Sequence, residues 1–173
     1  TPLIPIGLWW TANTSAPNLV HRQFFHAPAA NRGFAVLLTA VMGMPQTLWR
    51  DRHLAHHAGR EWRFRMTSRL AVEAGALLVL WSAMTMLDPV FVLSVYLPGW
   101  LCGLGLCALQ GHYEHSGGTT SHYGRLYNAL CFNDGYHAEH HASAGRHWTK
   151  LPGAAIARAR ASRWPPLLRW LGT

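Results

Sequence analysis

From Ala74 to Tyr113 the chain carries a single acidic or basic residue other than histidine, Asp88. The text "AGALLVLWSAMTMLDPVFVLSVYLPGWLCGLGLCALQGHY" shows no polar face, as a solvent-facing helix would. Asp88-Pro89 interrupts it, because proline disfavours a helical conformation in the residue before it. Two apolar segments of about 18 and 22 residues result, each near the roughly 20 that cross a bilayer. They predict a membrane hairpin over about residues 70–111. A helical hairpin buried in a soluble protein is the competing reading, and the missing polar face argues against it. Glu73 falls at the edge of the first segment, where a charge reaches the interface, and Gly103 and Gly105 allow close helix packing.

Charge placement sets an orientation. Arg50, Arg52, Arg60, Arg63, Arg65 and Arg69 precede the hairpin; Arg125, Arg146, Lys150, Arg158, Arg160, Arg163 and Arg169 follow it. The turn holds only an aspartate. Basic residues collect on the cytoplasmic side, so both flanks are expected there. The net charge of +8 therefore reads as a membrane surface rather than as nucleic acid, which would leave the apolar hairpin unexplained. "GFAVLLTAVMGMPQTLW" (Gly33 to Trp49), broken by Gly43 and Pro45, reads as an interfacial or re-entrant helix. The opening "TPLIPIGLWW" lacks the pattern of a signal peptide and looks like the end of an earlier membrane helix, so a fragment missing upstream residues is expected. The C-terminal "AAIARARASRWPPLLRWLG" is basic and amphipathic, then broken by proline. It is expected on the membrane surface, or as a solvated helix with a frayed end. The three cysteines form no Cys-x-x-Cys pair and suggest a reducing compartment.

Against this background stand 12 histidines. "HLAHH" (residues 53–57) and "HAEHH" (residues 137–141) repeat one pattern on either side of the hairpin. Positions i, i+3 and i+4 share a helix face, so His53, His56 and His57 can point together, as can His137, His140 and His141. A lone histidine is usually structural. Two triplets expected in one compartment are better explained by metal, because imidazole is the commonest metal-ligating side chain. "GHYEHSGG" adds His112 and His115, and "VHRQFFHAP" adds His21 and His26. That many imidazoles exceed the needs of one structural zinc, and no cysteine joins a cluster, so two metal ions fit the count better. A transporter would place ligands within the crossings; here they gather at the ends, which favours a fixed site.

The order HxxHH, membrane hairpin, HxxHH resembles the membrane fatty acid desaturase and hydroxylase superfamily. "PQTLWRDRHLAHHAG" and "GHYEHSGGTTSHYGRLYNALCFNDGYHAEHH" are similar to bacterial desaturase-like members, and the likeness runs from about Trp9 to Pro152. The resemblance implies an all-α, integral membrane protein, one domain over residues 1–173, with membrane hairpins and a cytoplasmic helical cap that carries the histidine boxes. It also implies the bacterial inner membrane, a non-haem centre of two iron ions, O2 as co-substrate, a lipid acyl substrate, and an electron donor such as a ferredoxin or a cytochrome. Hydroxylation or ketolation of a carotenoid or other lipid is the alternative within the superfamily; a membrane metal-binding or metal-transport protein is the alternative outside it. The ligands it implies are His21, His26, His53, His56, His57, His112, His115, His137, His140 and His141. Asp134 and Glu139 are candidate acceptors for imidazole N–H groups. Asn133 is either a ligand or, more simply, the cap of the helix that follows. His122 and His147 fall outside the set.

One position departs from the family pattern. Its first box is HxxxH or HxxxxH, and four residues before His21 this chain has Pro17. His21 and His26 satisfy the longer form, although i, i+5 is a poor same-face spacing on a helix. Either His26 takes the role or one metal lacks a ligand.

Overall fold

The structure is a computed structural model and describes residues 2–154, 156 and 159–172. Helix makes up 70% of it, and the all-α expectation holds. The chain divides into two compact units, Thr1–Leu104 and Gly105–Thr173, described in turn.

The first unit opens with α1 (Leu3–Asn13) and α2 (Ser15–His21). Pro17 sits in the first turn of α2, where its missing N–H costs least. Then comes α3 (Pro28–Met42), with proline at its start and Gly43 closing it at φ 62°. Only glycine takes that left-handed conformation freely, and a Cβ there would lie 2.7 Å from Trp100 Nε1. Trp100 instead donates to the Met42 carbonyl at 3.0 Å, satisfying one of the carbonyls the helix end leaves open. At 15 residues α3 is about 22 Å long, short of a bilayer core. Gly43 and Pro45 split the run read as one interfacial helix, and α4 (Gln46–His57) carries its second half.

Two helices are long and apolar enough to cross a membrane, α5 (Ser68–Leu87) and α6 (Pro89–His115). Thr67 caps α5, its hydroxyl accepting from Leu70 N at 3.1 Å. Asp88 ends it and caps α6, with Oδ1 accepting from Phe91 N at 2.9 Å, and Pro89 takes the first helical position. The dipeptide that breaks the apolar stretch is thus a cap. A π-helical turn, Val92–Tyr96, lies early in α6. Only 17% of the most apolar window of α5 and 6% of that of α6 is buried, whereas the core helix of a soluble protein is mostly buried. Val79, Met86, Leu87 and Val90 are among the exposed side chains. Apolar surface of this extent marks contact with lipid or a partner.

Two details differ from expectation. Glu73 is 1% exposed. Its Oε2 accepts from Thr47 N at 2.7 Å and its Oε1 pairs with Arg69 Nε at 3.2 Å, so it ties α5 to the start of α4 instead of reaching an interface. In α6 the glycines that pack closely are Gly99 and Gly103, where a Cβ would come within 3.1 Å of Ile4 and of Leu8 respectively; among the described residues nothing lies within 4 Å of a Cβ at Gly105.

The second unit begins in the last turns of α6. It continues with β1 (Thr120–Ser121), α7 (Arg125–Leu130), α8 (His137–Ala142), short 3-10 turns, β2 (Arg160–Ala161) and a 3-10 helix, Pro166–Gly172. β1 and β2 pair in parallel, Thr120 with Arg160 and Ser121 with Ala161. The C-terminal stretch read as an amphipathic surface helix takes a different form. Arg158 and two alanines of it lie outside the described residues; the described part is strand and 3-10 helix. Arg169 is buried, and its guanidinium donates to the Tyr113 carbonyl and, at 2.9 Å, to the Thr120 carbonyl. The two prolines before it rule out a regular helix.

Candidate metal site

In the first unit α4 presents His53 and His57 on one face, one turn apart. Their Nε2 atoms are 3.1 Å apart, and His21, at the end of α2, brings its own Nε2 to 2.9 Å from that of His53. The ring of His21 also stands edge-on to His57, centroids 4.7 Å apart. Burial lowers the pKa of His21, which keeps its imidazole neutral with a lone pair to give.

In the second unit α8 presents His137 and His141. His137 Nε2 lies 3.0 Å from Nε2 of His115, the last residue of α6. The ring of His141 is 4.9 Å from that of His115 and 4.7 Å from that of His137. Each unit therefore gathers three imidazoles, two from an HxxHH box and one from another helix.

The middle histidine of each box stands to the side. His56 is exposed, its ring 5.9 Å from that of His57; the His140 ring is 6.0 Å from that of His141 and 6.3 Å from that of His137. Helix geometry accounts for this. At about 100° per residue, i+4 lies roughly 40° to one side of i, and i+3 lies roughly 60° to the other. A third ring approaching from one flank meets i and i+4 most closely, while His56 and His140 each still offer a ligand nitrogen to a group of converging histidines.

The spacing suits a metal. For bonds of about 2.1 Å, typical of imidazole nitrogen, two ligands at a right angle sit about 3.0 Å apart. The three Nε2 separations are 2.9, 3.1 and 3.0 Å. An all-imidazole set accommodates iron, zinc, copper or nickel, so the donors fit iron without selecting it.

The second box is braced from beneath. Ser121 Oγ accepts from Ala138 N at 3.0 Å and donates to Glu139 Oε2 at 2.7 Å; Tyr123 donates to Glu139 Oε1 at 2.7 Å. His122 N donates to the Gly135 carbonyl at 2.7 Å, holding the turn that leads into α8. Glu139 thus positions the helix, and its two oxygens are engaged by hydroxyls. Asp134 Oδ2 accepts from Tyr127 at 2.7 Å and from Gln110 at 2.9 Å. Asn133, at φ 57°, donates to the Trp148 carbonyl at 3.0 Å, while Tyr136 occupies the position before α8 without a side-chain cap bond.

Reasoning from sequence missed Glu114. It is 5% exposed, its Oε1 accepts from Gln110 Nε2 at 2.8 Å, and its Oε2 lies 3.7 Å from His137 Nδ1. Nδ1 is the ring nitrogen opposite the one that meets His115, so Glu114 stands behind the imidazole, on the side from which an acid can orient a ligand, and burial raises the pKa of its carboxyl group. The signal was available: an acid between two candidate ligands at the end of an apolar helix. Gln110 joins Glu114 to Asp134. Burial raises the Asp134 carboxyl to about 6, against the pull of Tyr127, Gln110 and Arg169. Burial raises the neighbouring Cys131 thiol to about 11 and pushes the Tyr127 phenol upward too.

Two expected ligands stay apart. His112 is exposed and stacks edge-on with Tyr113 at 5.2 Å. His26 is exposed in the turn between α2 and α3. Asn31 staples that turn, accepting from Phe24 N and Phe25 N at 3.1 Å each and donating to the Phe25 carbonyl at 2.7 Å. Among the described residues, His26 joins no group of converging ligand atoms.

A family model described as "Fatty acid desaturase" matches residues 58–170, more than half of the chain. The match takes in α5, α6 and the second histidine box, and begins just after the first box. No curated protein and no solved structure matched the chain.

Proposed function

Since the chain belongs to the fatty acid desaturase family, we propose that it is a membrane-bound oxidoreductase that holds two iron ions and uses O2 to desaturate a lipid acyl chain. The observation that carries this reading is the convergence of imidazole nitrogens, at 2.9 to 3.1 Å, around each of the two boxes. His21, His53 and His57 hold metal in the first unit; His115, His137 and His141 hold it in the second; His56 and His140 complete the donor set. Iron held by these histidines would supply O2 activation and the removal of hydrogen from an unactivated C–H bond.

The chain's own residues do the rest. Neutral imidazoles donate lone pairs, and Glu114, 3.7 Å from His137 Nδ1, backs that ring from its far side. Glu139, through Ser121 and Tyr123, holds α8 so that its histidines face one way. The exposed apolar flanks of α5 and α6 sit in lipid, where an acyl chain reaches the site without passing through water. A dry surround limits side reactions of activated oxygen. Arg60, Arg63, Arg65 and Arg69 support a cytoplasmic start for α5, in a bacterial inner membrane. Electrons come from a ferredoxin or a cytochrome.

The test is lipid analysis after expression in a host that lacks the activity. A new C=C bond that vanishes in His137→Ala supports desaturation; a hydroxyl or keto product places the chain with hydroxylases and ketolases.

A further inference from the structure

Between the first histidine helix and α5 runs a segment with no regular structure, "REWRFRMT", residues 60–67. Every residue from 58 to 66 is exposed. Trp62 is 40% exposed, Phe64 59% and Met66 62%. These three alternate with Arg63 and Arg65. In an extended chain successive side chains point to opposite sides, so Trp62, Phe64 and Met66 share one edge and Glu61, Arg63 and Arg65 the other, which is cationic on balance. The rings of Trp62 and Phe64 meet edge-on, centroids 6.3 Å apart, as same-side neighbours do.

We infer that this ribbon is a lipid-surface anchor: Trp62, Phe64 and Met66 enter the headgroup boundary, and Arg63 and Arg65 on the other edge take anionic phosphates. The inference rests on the membrane reading of α5. Three observations favour lipid as the occupant. Met66 stands two residues before Ser68, the start of α5, whose exposed apolar surface continues through Val72 and Val79. Tryptophan and arginine together are the residues that settle at the water–lipid boundary. And among the described residues none makes a backbone hydrogen bond with residues 61–66. Unpaired peptide groups are excluded from the hydrocarbon core but are solvated at headgroup depth. An anchored ribbon would also fix how far the end of α4, with His57, stands from the bilayer surface.

Site-directed spin labelling of the full chain tests this. Single cysteines are placed at each of positions 61 to 66 after Cys102, Cys107 and Cys131 are changed to alanine. The protein is reconstituted in bilayers of phosphatidylcholine with phosphatidylglycerol. Oxygen reports lipid exposure and a water-soluble nickel chelate reports water. The expected oxygen-to-nickel ratio alternates, several-fold higher at 62, 64 and 66 than at 61, 63 and 65, and the contrast weakens when phosphatidylglycerol is left out. A label in Val79→Cys serves as reference. If that label is lipid-exposed while positions 64 and 66 match 63 and 65, the ribbon is open to water or to a protein partner; the inference falls and the membrane reading stands. If position 79 itself is water-exposed, both fall. Alternation that ignores phosphatidylglycerol overturns the assignment to anionic lipid. Should the cysteine-free background not fold, fluorescence quenching by brominated lipid answers in the native chain: quenching must drop in Trp62→Phe, and an unchanged value overturns the anchor.

Discussion

Glu73 on α5 accepts the backbone N–H of Thr47, in the first turn of the first histidine helix, at 2.7 Å. A carboxylate at a helix start meets unpaired N–H groups and the positive end of the helix dipole. Through this bond an acid buried at the edge of a candidate membrane span fixes the helix that carries His53 and His57. Glu73→Ala leaves a buried N–H without its acceptor and should cost about 1–3 kcal/mol. Loss of the Arg69 pair adds little, since the arginine is 41% exposed. Thermal unfolding in detergent should show a lower midpoint for Glu73→Ala and a much smaller change for Glu73→Gln, which keeps an acceptor. Equal losses would mean that charge, not the hydrogen bond, matters there.

The glycines of α6 are not equivalent. A Cβ at Gly103 would stand 3.1 Å from Leu8, whereas one at Gly105 meets nothing within 4 Å among the described residues. Gly103→Val should overpack the contact with α1 and cost about 1–3 kcal/mol. Gly105→Ala should be neutral or stabilising by up to about 1 kcal/mol, since alanine is the better helix former. The paired unfolding curves check this, and a destabilising Gly105→Ala would place an unseen neighbour at that face.

Glu114 is expected to act on metal through His137. Removing a carboxylate that orients a ligating imidazole typically weakens metal binding by roughly 10- to 100-fold. Glu114→Ala should show that loss in a metal titration of the purified protein, with Glu114→Gln falling between it and the parent. An unchanged affinity would leave Glu114 a packing residue.

Much of the architecture was legible because it rests on local chemistry. The apolar stretch, its break at Asp88-Pro89 and the helical spacing of the boxes follow from composition and period alone. Which histidines converge did not follow. His53, His56 and His57 fall within one broad arc of a helical wheel, and the side from which His21 approaches singles out His53 and His57. His26 looked like a replacement for the histidine lacking at Pro17, but Asn31 holds its turn in another shape, a bond between residues that share no periodic pattern. Glu73 reads as a charge near a membrane end, and Glu114 was missed. Their burial depends on Thr47 and Gln110, partners that only a folded chain brings to them.

Asp134 gives stability a pH dependence of definite sign. Its carboxyl is raised from 3.8 to about 6 by burial, so the folded state holds its proton more tightly than the unfolded state does. Its contribution is full below about pH 4 and is lost as pH rises through about 6. Asp134→Asn should flatten the stability profile across that window. A profile with the same slope in the variant would assign the titration to another group.

Iron content tests the central claim most directly. Purified from iron-replete cells, the full chain should carry about two iron atoms, and His53→Ala and His137→Ala should each lose metal while still inserting into membranes, because the apolar spans are untouched. A protein that is fully inserted yet binds no iron, or that keeps its iron in both variants, would contradict the account.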